Sequence, residues 1–305
     1  MRRWLGLVLR VLGTAAGLAY IATRVNLEDM RGAIARISIV AFLAAVGLVA
    51  ANVVAGAVRW RVLMRAYGAT AIPSLPRATY LYFVAFFYNN YLPGAVTGDV
   101  GRGVVARDAF GEEGATAALA VVLVERALGL FALFALLAAG IVATGDALDT
   151  RQMWLWTALG CAGSVALVLA IAAARRLAPH LPAVLARRAE KLPVLRDKKS
   201  FAVAALWSLV TQALTAAAGW VILAALAPID LAASLLLVPL AAATTFLPIT
   251  VGGTGAREGV YIALGGRLFG LSEADALAAS LGFWFAHLAV GAAGGLAQLV
   301  HRRRA

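Results

Sequence analysis

Tyr91 to Arg102 reads YLPGAVTGDVGR, and Phe246 to Arg257 reads FLPITVGGTGAR. A shift of 155 residues lays one on the other without a gap. Leu92 then meets Leu247, Pro93 meets Pro248, Val96 meets Val251, Gly98 meets Gly253 and Arg102 meets Arg257. Each stretch follows an apolar run and mixes helix breakers with charge. Leu-Pro ends a helix, because proline lacks an N–H and its ring clashes with the preceding turn. Glycine then permits a tight reversal at positive φ. The expected turn residues are Pro93, Gly94 and Gly98 in the first stretch, and Pro248, Gly252, Gly253 and Gly255 in the second.

The rest of the chain sets these breakers in a greasy background. Apolar residues make up 63% of its 305 positions and charged ones 14%. That is too little polar surface for a soluble domain and implies an all-α polytopic membrane protein. The apolar runs are too long for barrel strands. The net charge of +12 would suggest nucleic acid in a soluble chain. Here the basic residues lie in short loops and at both ends, where they set topology and meet anionic headgroups, so no nucleic acid is expected. One cysteine, Cys161, excludes an internal disulfide and a cysteine zinc cluster. His180, His287 and His301 show no metal spacing, and no cofactor is expected.

Six runs are long enough to span a bilayer: 4–23, 38–58, 116–143, 153–174, 201–226 and 273–300. The first, behind Met1-Arg2-Arg3, is read as a retained span rather than a cleaved signal. Segment 59–77 is net +4, segment 175–199 is net +6 and segment 144–152 is net −1. The positive-inside rule places the first two and both termini in the cytoplasm and the last outside. The broken regions 77–110 and 231–270 must then each enter and leave on one side, as re-entrant helical hairpins from opposite faces. The expected fold is one integral membrane domain of six full spans and two hairpins in an inverted 4+4 repeat, with halves near 1–150 and 151–305. Secondary transporters are commonly built this way, with the site near the midplane.

A half-helix that begins inside the membrane presents free N–H groups and a positive dipole end, which suits an anion. Charge at that depth is expensive and should pair or meet substrate. The candidates are Asp99, Arg102, Arg257 and Glu258, with Asn89 and Asn90 capping the first half-helix or lining a cavity. Glu125 and Arg126 are expected to form a further pair within span 116–143. The aromatic cluster from Tyr80 to Tyr91 reads as packing, and His287 as a hydrogen-bonded core residue. Residues 179–199 read as a basic interfacial segment on anionic lipid. No nucleophile–base array, Walker loop or dinucleotide fingerprint is present, so no enzyme is expected.

Three stretches, NNYLPGAVTGDVGR (89–102), VERALGL (124–130) and LPITVGGTGAREG (247–259), together with RWRVLMRAYG (59–68), carry a resemblance. The chain resembles the lysylphosphatidylglycerol synthase transmembrane-region family, flippase-like integral membrane proteins, over about 4–300. The resemblance implies movement of a phospholipid or other amphiphile between leaflets of a bacterial inner membrane. It takes in no synthase domain, so aminoacyl transfer is not implied. Some relatives are linked to glycolipid assembly, which leaves a membrane subunit or enzyme of lipid modification as an alternative. A small-ion or proton-coupled carrier is another. The expected partners are membrane lipids, with a second copy or a lipid-biosynthesis protein beside them. The second motif departs from the first in having Thr254 where the first has Asp99, its acid coming from Glu258.

Overall fold

The computed structural model describes residues 14–17, 19, 21–23, 25–92, 96–145, 151–244 and 254–302. Within them the chain is helical, with no strand. The helices are α1 Leu27–Arg36, α2 Ile39–Ala66, α3 Leu75–Tyr91, α4 Thr97–Val105, α5 Gly114–Thr144 and α6 Arg151–Leu177. They continue as α7 Ala183–Ala189, α8 Lys198–Ala224, α9 Leu231–Ala243, α10 Ala256–Phe269 and α11 Glu273–Arg302. Five regions, built on α2, α5, α6, α8 and α11, are long and apolar enough to cross a membrane. They match five of the six expected spans. The sixth, 4–23, lies mostly outside the described residues.

Local chemistry sets the helix starts. Side-chain oxygens of Ser38, Ser74, Asp197 and Asp230 accept from backbone N–H groups in the first turns of α2, α3, α8 and α9. α10 starts at Gly255, whose φ of 87° suits only glycine, and Glu258 accepts from the Gly255 N–H at 2.7 Å. Pro239 lies inside α9 and removes one helical donor.

Helix ends differ from the expectation in two places. α2 does not stop at residue 58 but continues to Ala66, so Arg59, Arg61 and Arg65 are on a helix rather than in a loop. Segment 24–37, expected as a plain outer loop, contains α1, and Arg36 pairs with Asp275 at the start of α11.

α2 and α8 pack along each other at the centre. α11 lies against α3, and α9 against α5. Small residues make these contacts close. A side chain at Gly294 would put its Cβ 2.1 Å from the Phe83 carbonyl oxygen, and one at Gly140 would come within 2.8 Å of the Leu235 carbonyl oxygen. Gly291 and Gly295 of α11 likewise lie against Tyr91 and Phe87 of α3. α6 buries only Thr157, Ser164 and Ile171 and packs mainly on α5, which suits a lipid-facing helix.

Each broken region contains two short helices flanking a break. α4 turns back along α3: Gly98 donates to the Asn89 Oδ1 at 2.9 Å and abuts Ala85, while Arg102 reaches the Tyr82 ring one turn earlier on α3. Rising numbers on α4 meet falling numbers on α3, so the pair is antiparallel. α9 and α10 also pack together. Pro93, Gly94, Pro248, Gly252 and Gly253 lie outside the described residues.

Candidate functional site

Asn52, Gly129 and Thr211 lie near the mid-points of α2, α5 and α8, and all three line one polar cavity. Its volume is about 210 Å³. α3 and α4 supply Tyr82, Asn89, Asp99 and Arg102, and Arg59, Glu125, Arg126, Gln212 and Thr215 complete the polar wall. The cavity therefore sits at mid-length of three long apolar helices.

Five charged side chains form one alternating chain. Arg59 donates to Glu125 Oε1 from Nε at 3.2 Å and from Nη2 at 3.0 Å. Arg102 donates to Glu125 Oε2 at 2.6 Å and to Asp99 Oδ1 at 2.9 Å. Arg126 donates to Asp99 Oδ2 from Nε at 2.9 Å and from Nη2 at 2.5 Å. The order is Arg59, Glu125, Arg102, Asp99, Arg126, with a cation at each end. Tyr82 bridges by accepting from Arg59 at 3.2 Å and donating to Glu125 Oε1. Arg59 also reaches Thr211 and Ser208 of α8.

Arg102 is the centre of this array. It is 3% exposed and its guanidinium lies over two rings, 4.4 Å from the centroid of Tyr82 and 4.9 Å from that of Trp60. Its Nη1 is buried without a hydrogen-bond partner. A buried N–H without a partner costs about 1–3 kcal/mol, more when charged, so this nitrogen is an unmet donor on a residue that lines the cavity.

The expected Glu125–Arg126 pair is not what forms. Neighbouring residues on a helix point about 100° apart and do not face each other. Glu125 turns to Arg59 and Arg102, and Arg126 turns to Asp99. Arg59 was not a sequence candidate. Its charge reads as the end of span 38–58, and only its place in RWRVLMRAYG, beside the other motifs, marks it out. Tyr82 was hidden among aromatics that do pack as expected, such as Phe83 and Phe87 against α11.

Asn89 lines the cavity, and its side chain holds the Gly98 N–H in the first turn of α4 rather than capping α3. Asn90 instead donates to the Phe86 carbonyl at 2.8 Å and is not among the lining residues. Arg257 and Glu258 form a separate cluster and do not line the cavity. Arg257 Nε donates to Glu258 Oε1 at 2.9 Å and to Ser280 Oγ at 3.1 Å, and its guanidinium lies 5.6 Å from the Trp284 ring. Glu258 is thus held by its neighbour, by Ser280 and by the α10 start. His287 donates Nδ1–H to the Phe283 carbonyl and packs on Phe283 and Phe86, a core role. Among the described residues no group of three His, Cys, Asp or Glu side chains could hold a metal ion.

A comparison with curated proteins finds no match. The hairpin carrying Asp99 and Arg102, the facing Glu125–Arg126 segment and the second hairpin all fall within one family model, that of the lysylphosphatidylglycerol synthase TM region. It matches residues 4–295, and the chain belongs to that family.

Proposed function

We propose that this protein is a lipid flippase or transporter, moving a phospholipid or another anionic amphiphile between the leaflets of a bacterial inner membrane with no catalytic step of its own. The observation that carries this reading is the Arg–Glu–Arg–Asp–Arg chain lining a cavity at mid-length of the spans, with an unpartnered guanidinium nitrogen on its central arginine. Each such charge costs about 3 kcal/mol to place at the centre of a membrane helix. Buried ion pairs seldom return more stability than a well-packed apolar replacement. An array this expensive is best explained by what it binds. The acyl chains stay in lipid between the spans while the headgroup occupies the cavity.

Three observations support an inverted repeat as the moving frame. The starts of α1 to α5 recur 156 to 159 residues later as the starts of α7 to α11. Contacts are exchanged in pairs: α3 with α11 answers α9 with α5, α2 with α11 answers α8 with α5, and α2 packs on α8. The 155-residue shift also carries Arg102 and Glu125 onto Arg257 and Ser280. The first two bond at 2.6 Å and the second two at 3.1 Å, so each hairpin arginine reaches the equivalent point on the next long helix. With the charge count of the loops, this favours hairpins that re-enter from opposite faces and termini in the cytoplasm. Rocking of one half against the other would expose the cavity to each leaflet in turn. The Arg257–Glu258 pair, already neutral by itself, braces the second hairpin.

Reconstitution with a fluorescent phospholipid and a leaflet-specific quencher tests the reading. Proteoliposomes should exchange label between leaflets faster than protein-free vesicles for at least one anionic lipid. Equal rates across lipid classes would overturn it.

A further inference from the structure

We infer that the cavity selects a monoanionic phosphodiester whose headgroup is uncharged and bears hydroxyls, and that it rejects headgroups carrying a cation. This rests on the transport reading above and names the lipid that it serves.

The first argument is charge. Arg59, Arg102 and Arg126 face Asp99 and Glu125, leaving the lining with one surplus positive charge. One diester phosphate balances that surplus. Arg102, which lines the cavity and has one guanidinium nitrogen, Nη1, without a partner, supplies the fork that a phosphate accepts from.

The second argument is that a headgroup cation has nowhere to go. Glu125 already accepts from Arg59, Tyr82 and Arg102, and Asp99 from Arg102 and Arg126. Quaternary ammonium groups are usually held by cages of several rings. The Tyr82 ring is covered by the Arg102 guanidinium, which leaves Phe86 as the only other ring lining the cavity among the described residues. Three guanidiniums would repel any cation that entered.

The third argument is the rest of the lining from α2 and α8, which is polar and neutral. Asn52, Thr211, Gln212 and Thr215 form it. Asn52 Nδ2 donates to Thr215 and Gln212 Nε2 to the Gly129 carbonyl, so both amides turn their nitrogens to the protein. Their carbonyl oxygens accept no bond among the described residues and suit hydroxyl donors. The volume, about 210 Å³, equals roughly seven waters and suits a phosphate with a short polyol.

The test measures binding to the purified full-length protein and transport in vesicles side by side. The probes are short-chain phosphatidylglycerol, phosphatidylcholine, phosphatidylethanolamine, an aminoacylated phosphatidylglycerol and acyl-free glycerophosphoglycerol. Phosphatidylglycerol should bind at least about tenfold tighter than each of the others, a gap of about 1.4 kcal/mol. Gln212→Leu with Asn52→Leu should shrink its advantage over phosphatidylethanolamine, and Arg102→Lys should weaken binding of phosphatidylglycerol itself. Equal binding of zwitterionic or aminoacylated lipids overturns the inference, and so does acyl-free headgroup binding as tightly as lipid. Selective binding without transport would remove the flippase reading and leave the selectivity standing. Transport without selectivity would do the reverse.

Discussion

Arg59 shows how a residue can be central to a site and still be hard to see. In the sequence it opens a run of arginines after an apolar stretch, so it marks the end of a span. In the structure it faces inward from α2, with a side chain only 11% exposed, and holds Glu125, Tyr82, Thr211 and Ser208. Arg61, two positions on, points elsewhere and donates to the Pro73 carbonyl at 2.8 Å. Removing one partner of a buried pair costs about 3–5 kcal/mol. Arg59→Gln should therefore lower thermal stability and cut lipid exchange by at least about tenfold, a loss of about 1.4 kcal/mol or more. Arg61→Gln should leave exchange within about twofold, under about 0.5 kcal/mol. Asp99 and Arg102 were legible because breakers surround them. Glu125 and Arg126 were legible as intramembrane charges, but their partners were not, since adjacency in sequence is not adjacency on a helix surface.

Elements were easier to read than contacts, because hydropathy reports a helix whatever it packs against. Long spans emerge within a few residues of their true ends, except where α2 continues through Arg59, Arg61 and Arg65 to Ala66. α1 and α7 have ten and seven residues, too short to stand out by hydropathy as spans do. The hairpins depend on glycine at contact points that sequence marks only as breakers. At Gly98 a Cβ would lie 2.0 Å from the Ala85 carbonyl oxygen, whereas at Gly101, one turn on, nothing lies within 4 Å. Gly98→Val should push α4 off α3, at a cost of about 1–3 kcal/mol or more, and abolish exchange. Gly101→Ala should be tolerated and stabilise α4 by up to about 1 kcal/mol. Thermal unfolding of the two variants in the same detergent separates these outcomes.

At the scale of the molecule, the proposed inverted repeat starts from twelve aligned residues and a count of loop charges. Thr254 in place of Asp99 marks in the sequence that the two motifs differ in chemistry, but not which partners each arginine takes. Arg102 shares two carboxylates with two other arginines and keeps an open nitrogen, whereas Arg257 is neutralised by its own neighbour. That asymmetry comes from Asp99 against Thr254 and Glu125 against Ser280, positions whose meaning depends on packing across helices. The inverted frame predicts sidedness. With Cys161 replaced, Ala147→Cys should react with an impermeant reagent only from outside and Leu185→Cys only from inside. Reaction of both from one side would reject the opposed hairpins.

The most direct test of the account is the rate of leaflet exchange by Arg102→Lys in proteoliposomes, beside the unchanged protein and at matched thermal stability. Lysine keeps the charge but not the planar fork that meets Asp99, Glu125 and the cavity together. The account predicts exchange slower by at least about tenfold, equivalent to about 1.4 kcal/mol. Exchange at the unaltered rate would contradict it.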